Sequence, residues 1–175
     1  IFSYNRFASL DDVRAVLRRY REAYGLGNIK QYRAGNRRVR QWIAIADDPL
    51  VFMTNEKFLK ENNLKAPASW DDLLAPAYKN MLQMADARTS GTAVTRIFSI
   101  IEVNGRNEDK AFAYMKKLRP NVQLYTKSGG GGTLPVGLGQ AGGGIFFIVD
   151  ALDTKAKGYD VSISFPKEGI GTAAE

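Results

Sequence analysis

Apolar residues recur along this chain in two periods, and the period changes several times. Residues 1–7 alternate roughly as a short strand would, and from Ser9 the spacing becomes helical. Val13, Val16, Leu17, Tyr20 and Tyr24 then share one face until Gly25, with Asp12 three residues after Ser9 as in a capping box. Arg14, Arg18 and Arg21 lie on the opposite face, and residues 25–41 show little periodicity. From residue 42 the pattern predicts strands at 42–46 and 50–53 separated by Asp-Asp-Pro, then a helix over 55–63 with Phe58 and Leu59 inward. Ser69, with Asp72 as its box partner, opens a short helix bracketed by prolines. A strand at 81–84, helices at 91–103 and 107–118 and a strand at 122–125 follow. A glycine-rich stretch comes next, in which a helix from about Thr133 has poor propensity. The wholly apolar run 145–149 reads as a buried strand, 151–157 as a helix and 161–165 as the last strand. Such alternation predicts an α/β fold with a mixed, mostly parallel sheet flanked by helices.

Composition narrows the chemistry. The 175 residues contain neither Cys nor His, which removes thiol nucleophiles, serine–histidine triads and zinc sites of the usual kind. No motif for carboxylate, lysine or tyrosine catalysis stands out, so no enzymatic activity, metal or cofactor is expected. No apolar run approaches the ~20 residues that span a bilayer. No secretory signal heads the chain, which leaves a cytoplasmic protein or a mature, processed one. The net charge of +7 is confined to one end. Residues 1–41 hold ten Lys/Arg against Asp11, Asp12 and Glu22, whereas residues 42–175 hold fifteen of each sign. This divides the chain into a basic segment, 1–41, and an α/β lobe, 42–175.

In α/β sheets ligands sit beyond the carboxyl ends of the strands, and three such ends look alike here. Met84 leads into Thr89-Ser90-Gly91-Thr92, Tyr125 into Thr126-Lys127-Ser128-Gly129, and Val149 into Asp150. Small hydroxyl and glycine residues at a helix start either cap it or leave its first amides to an anion. Two such turns on neighbouring strands would clamp an anion, and Asp150 would take an amine or a hydroxyl. Asp150 reads equally well as the N-cap of helix 151–157.

The phrases PLVFMTNEKFLKENNLKAPASWDDLLAPAYKN, MADARTSGTAVT, NVQLYTKSG and ISFPKEGIGT, in that order, resemble the second lobe of periplasmic solute-binding proteins that serve ABC importers. The branch is the one taking iron(III), phosphorylated sugars or aminophosphonates, and the likeness covers roughly residues 42–175. It implies a single lobe of the type II periplasmic-binding-protein fold, a periplasmic or extracellular location, a small anionic solute and a membrane permease as partner. It also implies that Ser90, Gly91 and Thr92 meet the anion and that Tyr125, Ser128 and Gly129 border the cleft. Iron-binding members place adjacent tyrosines where this chain has Val149-Asp150, so an organic phosphate or phosphonate is the expected solute and ferric iron the alternative. Family members have two lobes and about twice this length. The expectation is therefore an isolated or truncated second lobe that binds weakly and, with its partner face open, self-associates. A nucleic-acid-binding module built on residues 1–41, with Tyr4, Tyr20, Tyr24 and Tyr32 for stacking, is the rival reading.

Overall fold

The computed structural model describes residues 2, 3, 18, 19, 22 and 47–174. Its organising element is strand β2 (Asp47–Asn55), because Leu50, Val51, Phe52 and Met53 are all 0% exposed. Successive strand residues point to opposite faces, and a strand with no exposed face must be covered on both. Leu50 and Phe52 accordingly enter one core and Val51 and Met53 another.

Strand β2 pairs antiparallel with β5 (Gly143–Phe147) on one edge. On its other edge it pairs antiparallel with β6 (Val161–Ser164) and β7 (Gly171–Ala174). Strand β3 (Leu82–Ala85) runs parallel to both β5 and β4 (Val122–Thr126), and β1 (Phe2–Ser3) runs parallel to β7. The sheet is thus mixed, and the mutually parallel β3, β4 and β5 end on one side. That common rim is where the fold has room for a site.

Helices cover both faces. Helices α2 (Gly91–Val103) and α3 (Glu108–Leu118), following the short α1 (Glu56–Glu61), pack Ile97, Ile100, Phe112 and Met115 onto Leu50, Phe52, Leu82, Met84 and Ile145. Trp70 meets Phe52 edge-on, ring centroids 5.1 Å apart. On the other face α4 (Thr133–Gly137) and α5 (Ile148–Ala156) bring Val136 and Ala151 against Val51, Met53 and Phe146. Asn55 ties the layers: its Oδ1 accepts the Phe58 amide at 3.0 Å and caps α1, while its Nδ2 donates to the Val136 carbonyl at 2.9 Å. The Ser69–Asp72 box forms as its spacing predicts, with both reciprocal bonds made.

The α/β class with helices on a mixed sheet agrees with the sequence pattern, and several boundaries differ. Strand β2 runs through Asp-Asp-Pro instead of breaking there. At Pro49 it is paired on one edge only, with β7, where a proline is tolerated in a strand. The strand predicted to end at 149 ends at Phe147, because α5 already begins at Ile148. Strand β7 has no apolar signature; it is held by pairing and by Ser99, whose Oγ accepts the Gly171 amide at 2.8 Å. The predicted strand at 42–46 and the loop at 25–41 lie outside the described residues. So does the helix at 9–24, apart from residues 18, 19 and 22, which are helical.

The two-sided core makes a direct prediction. Phe52→Ala removes a fully buried ring and its Trp70 contact, and should cost about 3–5 kcal/mol, read as a lower urea midpoint with the slope unchanged.

Candidate functional site

The rim is built from the end of β3. The Asp86 amide donates to the Thr126 carbonyl at 2.8 Å, joining the carboxyl ends of β3 and β4. The Asp86 carbonyl then accepts the amides of Thr89 at 3.1 Å and Ser90 at 3.0 Å, which folds 86–90 into a tight turn. The Asp86 carboxylate accepts the Arg88 amide at 2.9 Å and is held by the Arg88 guanidinium through both oxygens. Burial alone would raise this carboxyl, but the Arg88 hydrogen bonds and charge, with help from Arg96, bring it below the ordinary value.

The turn delivers the chain into α2 with Ser90 at the N-cap position in extended conformation, φ −132° and ψ 131°. Its hydroxyl does not cap the helix. The first-turn amides, those of Gly91 and Thr92 among them, therefore receive no cap from Ser90 and, among the described residues, no side-chain acceptor at the positive end of a thirteen-residue helix. Gly91 is exposed, while Ser90 and Thr92 are buried.

The second turn leaves β4 in a similar way. Thr126 Oγ1 donates to the Ser128 carbonyl at 2.8 Å, and residues 129–132, all glycine, coil in one 3-10 turn before α4. None of these four glycines has a positive φ, so their need is for space. A Cβ at Gly129 would stand 2.1 Å from Thr92 Oγ1, and one at Gly130 would stand 2.8 Å from Asp150 Oδ1. One at Gly131 would meet Ser128 Oγ at 3.0 Å, and one at Gly132 would meet Gln83 Cβ at 2.5 Å.

These approaches place the expected residues. Thr92, Gly129 and, through Gly130, Asp150 come together from three strand ends, with Ser90 and Gly91 at the start of α2 and exposed Ser128 at the start of the glycine turn. Tyr125 sits one residue further back, within β4 opposite Met84 and partly buried. Asp150 is no N-cap: it is the third residue of α5, whose N-cap position is Phe147. The reason lies in Asp48 on β2, whose Oδ1 accepts the Val149 amide at 3.3 Å and satisfies the helix start from outside. Sequence reasoning missed Asp48, the Asp86–Arg88 clamp and Arg96. The last carried a legible signal, a lone arginine inside the otherwise apolar and small-residue run of 91–101.

Two predictions follow from this geometry. Gly129→Ala drives a methyl into Thr92 and should cost about 1–3 kcal/mol, whereas adding Thr92→Ala should recover about 1 kcal/mol relative to the sum of the single changes. Asp86 has a lowered native value, so its contribution is present above the unfolded carboxyl value of about 3.9 and is lost as pH falls through the native one. Asp86→Asn should be less stable than the wild type in thermal melts at neutral pH and equally stable in strong acid.

The family of bacterial extracellular solute-binding proteins matches the chain over residues 20–173. The periplasmic binding protein AfuA from Actinobacillus pleuropneumoniae, solved with exogenous fructose-6-phosphate bound, superposes with a TM-score of 0.70 at 37% identity over 75% of this chain. An uncharacterized protein of Haemophilus influenzae is 34% identical over 119 residues, 68% of this chain. Apo ferric ion-binding protein A from Pasteurella haemolytica shares the fold, with a TM-score of 0.57 at 19% identity over 84% of this chain and 47% of its own. The match covers 41% of the AfuA chain and 34% of the Haemophilus protein. With the mixed α/β lobe and these likenesses together, the chain belongs to the bacterial extracellular solute-binding proteins.

Proposed function

We propose that the rim formed by residues 90–92, 128–130 and Asp150 is one face of a capture site for a small anionic solute. That solute is an organic phosphate or phosphonate, handed on to the membrane permease of an ABC importer outside the cytoplasm. The observation that carries this reading is the contact of the two turns, Thr92 Oγ1 lying where a Cβ of residue 129 would stand. It sets the hydroxyl and the amides of one helix start against the backbone of a second turn, a donor-rich junction suited to phosphoryl oxygens. Fructose-6-phosphate bound to the AfuA relative supports the same class of solute.

In this reading the Gly91, Thr92 and Gly129 amides and Thr92 Oγ1 donate to the anionic group, while Asp150 accepts from a sugar hydroxyl or an amine beside it. The role is binding and release without chemistry. Ferric iron is the weaker reading, since Val149 and Asp150 in the first turn of α5 stand where the resemblance places the adjacent tyrosines of iron-binding members. Nucleic-acid binding also loses support, because Arg19 is engaged with Glu108 and Asp109 of α3 and lies over the Phe112 ring at 5.2 Å. The lobe offers a one-sided site whose Gly91 and Ser128 are exposed, so water weakens each charge interaction. Affinity in the millimolar range is the consequence.

Amide NMR titration with fructose-6-phosphate should move the Gly91, Thr92 and Gly129 resonances with a Kd of roughly millimolar, and fructose alone should not. Thr92→Ala should weaken binding about tenfold, the loss of one hydrogen bond to a charged group. Equal shifts with fructose, or none at these residues, would refute the assignment.

A further inference from the structure

The sequence contains a single Asn-Gly pair, Asn104-Gly105, and it stands where α2 ends. Asparagine is a thermolabile residue, and glycine after it is the setting most open to deamidation, because no side chain shields the following backbone nitrogen. Once base removes its proton, the Gly105 nitrogen bonds to Asn104 Cγ, the Cγ–Nδ2 bond breaks and ammonia leaves, giving a five-membered succinimide ring. Water then opens the ring at either carbonyl and leaves aspartate or isoaspartate at position 104.

The fold holds this pair in a geometry that forbids the ring. Asn104 is the C-cap residue of α2 with φ −90° and ψ 18°, and Gly105 follows at φ 68°. At that ψ the Gly105 nitrogen nearly eclipses the Asn104 backbone nitrogen and is turned well away from Cβ, whereas ring closure needs it beside Cβ. Four hydrogen bonds keep it there. The Gly105 amide donates to the Glu102 carbonyl at 2.9 Å and the Arg106 amide to the Ile101 carbonyl at 2.9 Å, the paired bonds of a Schellman cap with Gly105 as its left-handed residue. The Asn104 carbonyl accepts the Asn107 amide at 3.3 Å, and its Nδ2 donates to the Ile100 carbonyl at 2.8 Å. Rotation about the Asn104 Cα–C bond toward the reactive geometry swings that carbonyl off Asn107 and the Gly105 amide off Glu102 together. Gly105 is exposed, and among the described residues a Cβ there would meet nothing within 4 Å, so the cap and not packing around Gly105 supplies the restraint.

We infer that Asn104-Gly105 is a latent deamidation site guarded by the cap of α2, and that the reaction is one-way because its product cannot rebuild the cap. Isoaspartate routes the main chain through the former side chain and lengthens it by one carbon, which puts the Gly105 and Arg106 amides out of register with the Glu102 and Ile101 carbonyls. Either product also replaces the Nδ2 donor to Ile100 with a carboxylate at the negative end of the helix, two residues from Glu102. Ile100 and Ile101 are buried in that last turn, so fraying spreads from the cap into the core that α2 lines.

The full chain is incubated at pH 8.0, folded in buffer and unfolded in concentrated urea. The peptide holding residue 104 is followed by mass spectrometry, with isoaspartate counted by enzymatic methylation. The unfolded chain should lose the amide steadily and the folded chain at least about tenfold more slowly, because reaction waits on local opening of the cap. Ile101→Ala, which loosens the turn beneath the cap, should speed the loss in the folded chain and leave the rate in urea unchanged; the wild-type comparison decides alone if this variant does not fold. Chain deamidated in urea should, on refolding, unfold at lower urea than unmodified chain carried through the same cycle, or fail to refold where that control succeeds. Equal rates in the two wild-type states, or a folded Ile101→Ala no faster than the wild type, overturn the guarding role of the cap. An intact amide in urea overturns the lability, and an unchanged urea midpoint after deamidation overturns the one-way step.

Discussion

The site depends on how closely one stretch of backbone approaches its neighbours. Residues 129–132 are packed so tightly that a single methyl on any of them would meet Thr92, Asp150, Ser128 or Gln83. Four consecutive glycines are poor helix formers and cost conformational entropy on folding, so this turn is held by its surroundings. The Thr126 hydroxyl grips the Ser128 carbonyl, the Thr133 hydroxyl grips that of Gly130, and Gly132 rests on the Phe146 ring. Without that intimacy the starts of α2 and of the glycine turn would stand apart.

Much of this architecture was legible in the order of residues, and the failures share one physical cause. The apolar run at 50–53 and the helical spacing at 91–103 and 107–118 are local signals, and burial in the folded lobe follows them. The hydroxyl and glycine residues after β3 and β4 likewise marked the rim, because they are the residues a chain needs where helices start. What escaped is set by partners distant in sequence. The start of α5 is supplied by Asp48, a hundred residues earlier, and β7 takes its place through β2 and Ser99. The glycine-rich stretch offers no local pattern to read, while in the fold a Cβ on any of Gly129, Gly130, Gly131 or Gly132 would meet a neighbour.

The capture site proposed here would combine two kinds of group. Backbone amides at the start of α2 are directional donors that fix where oxygens sit, and their partial charge fades within one turn of helix. Asp150, on the far side of the glycine turn, would act in the opposite sense, repelling an anion that reaches it and rewarding a donor. A solute that suits both would carry its phosphate at one end and a hydroxyl or amine a few atoms away.

This division of labour bears on a lobe that spans less than half of its AfuA relative. In the proposed site the donors of α2 and of the glycine turn belong to the same described lobe. Gly91 and Ser128 are exposed at the rim. In high dielectric an amide–phosphate contact is worth a fraction of its value in a closed site, so the proposed contacts would strengthen under any surface that excluded water from them.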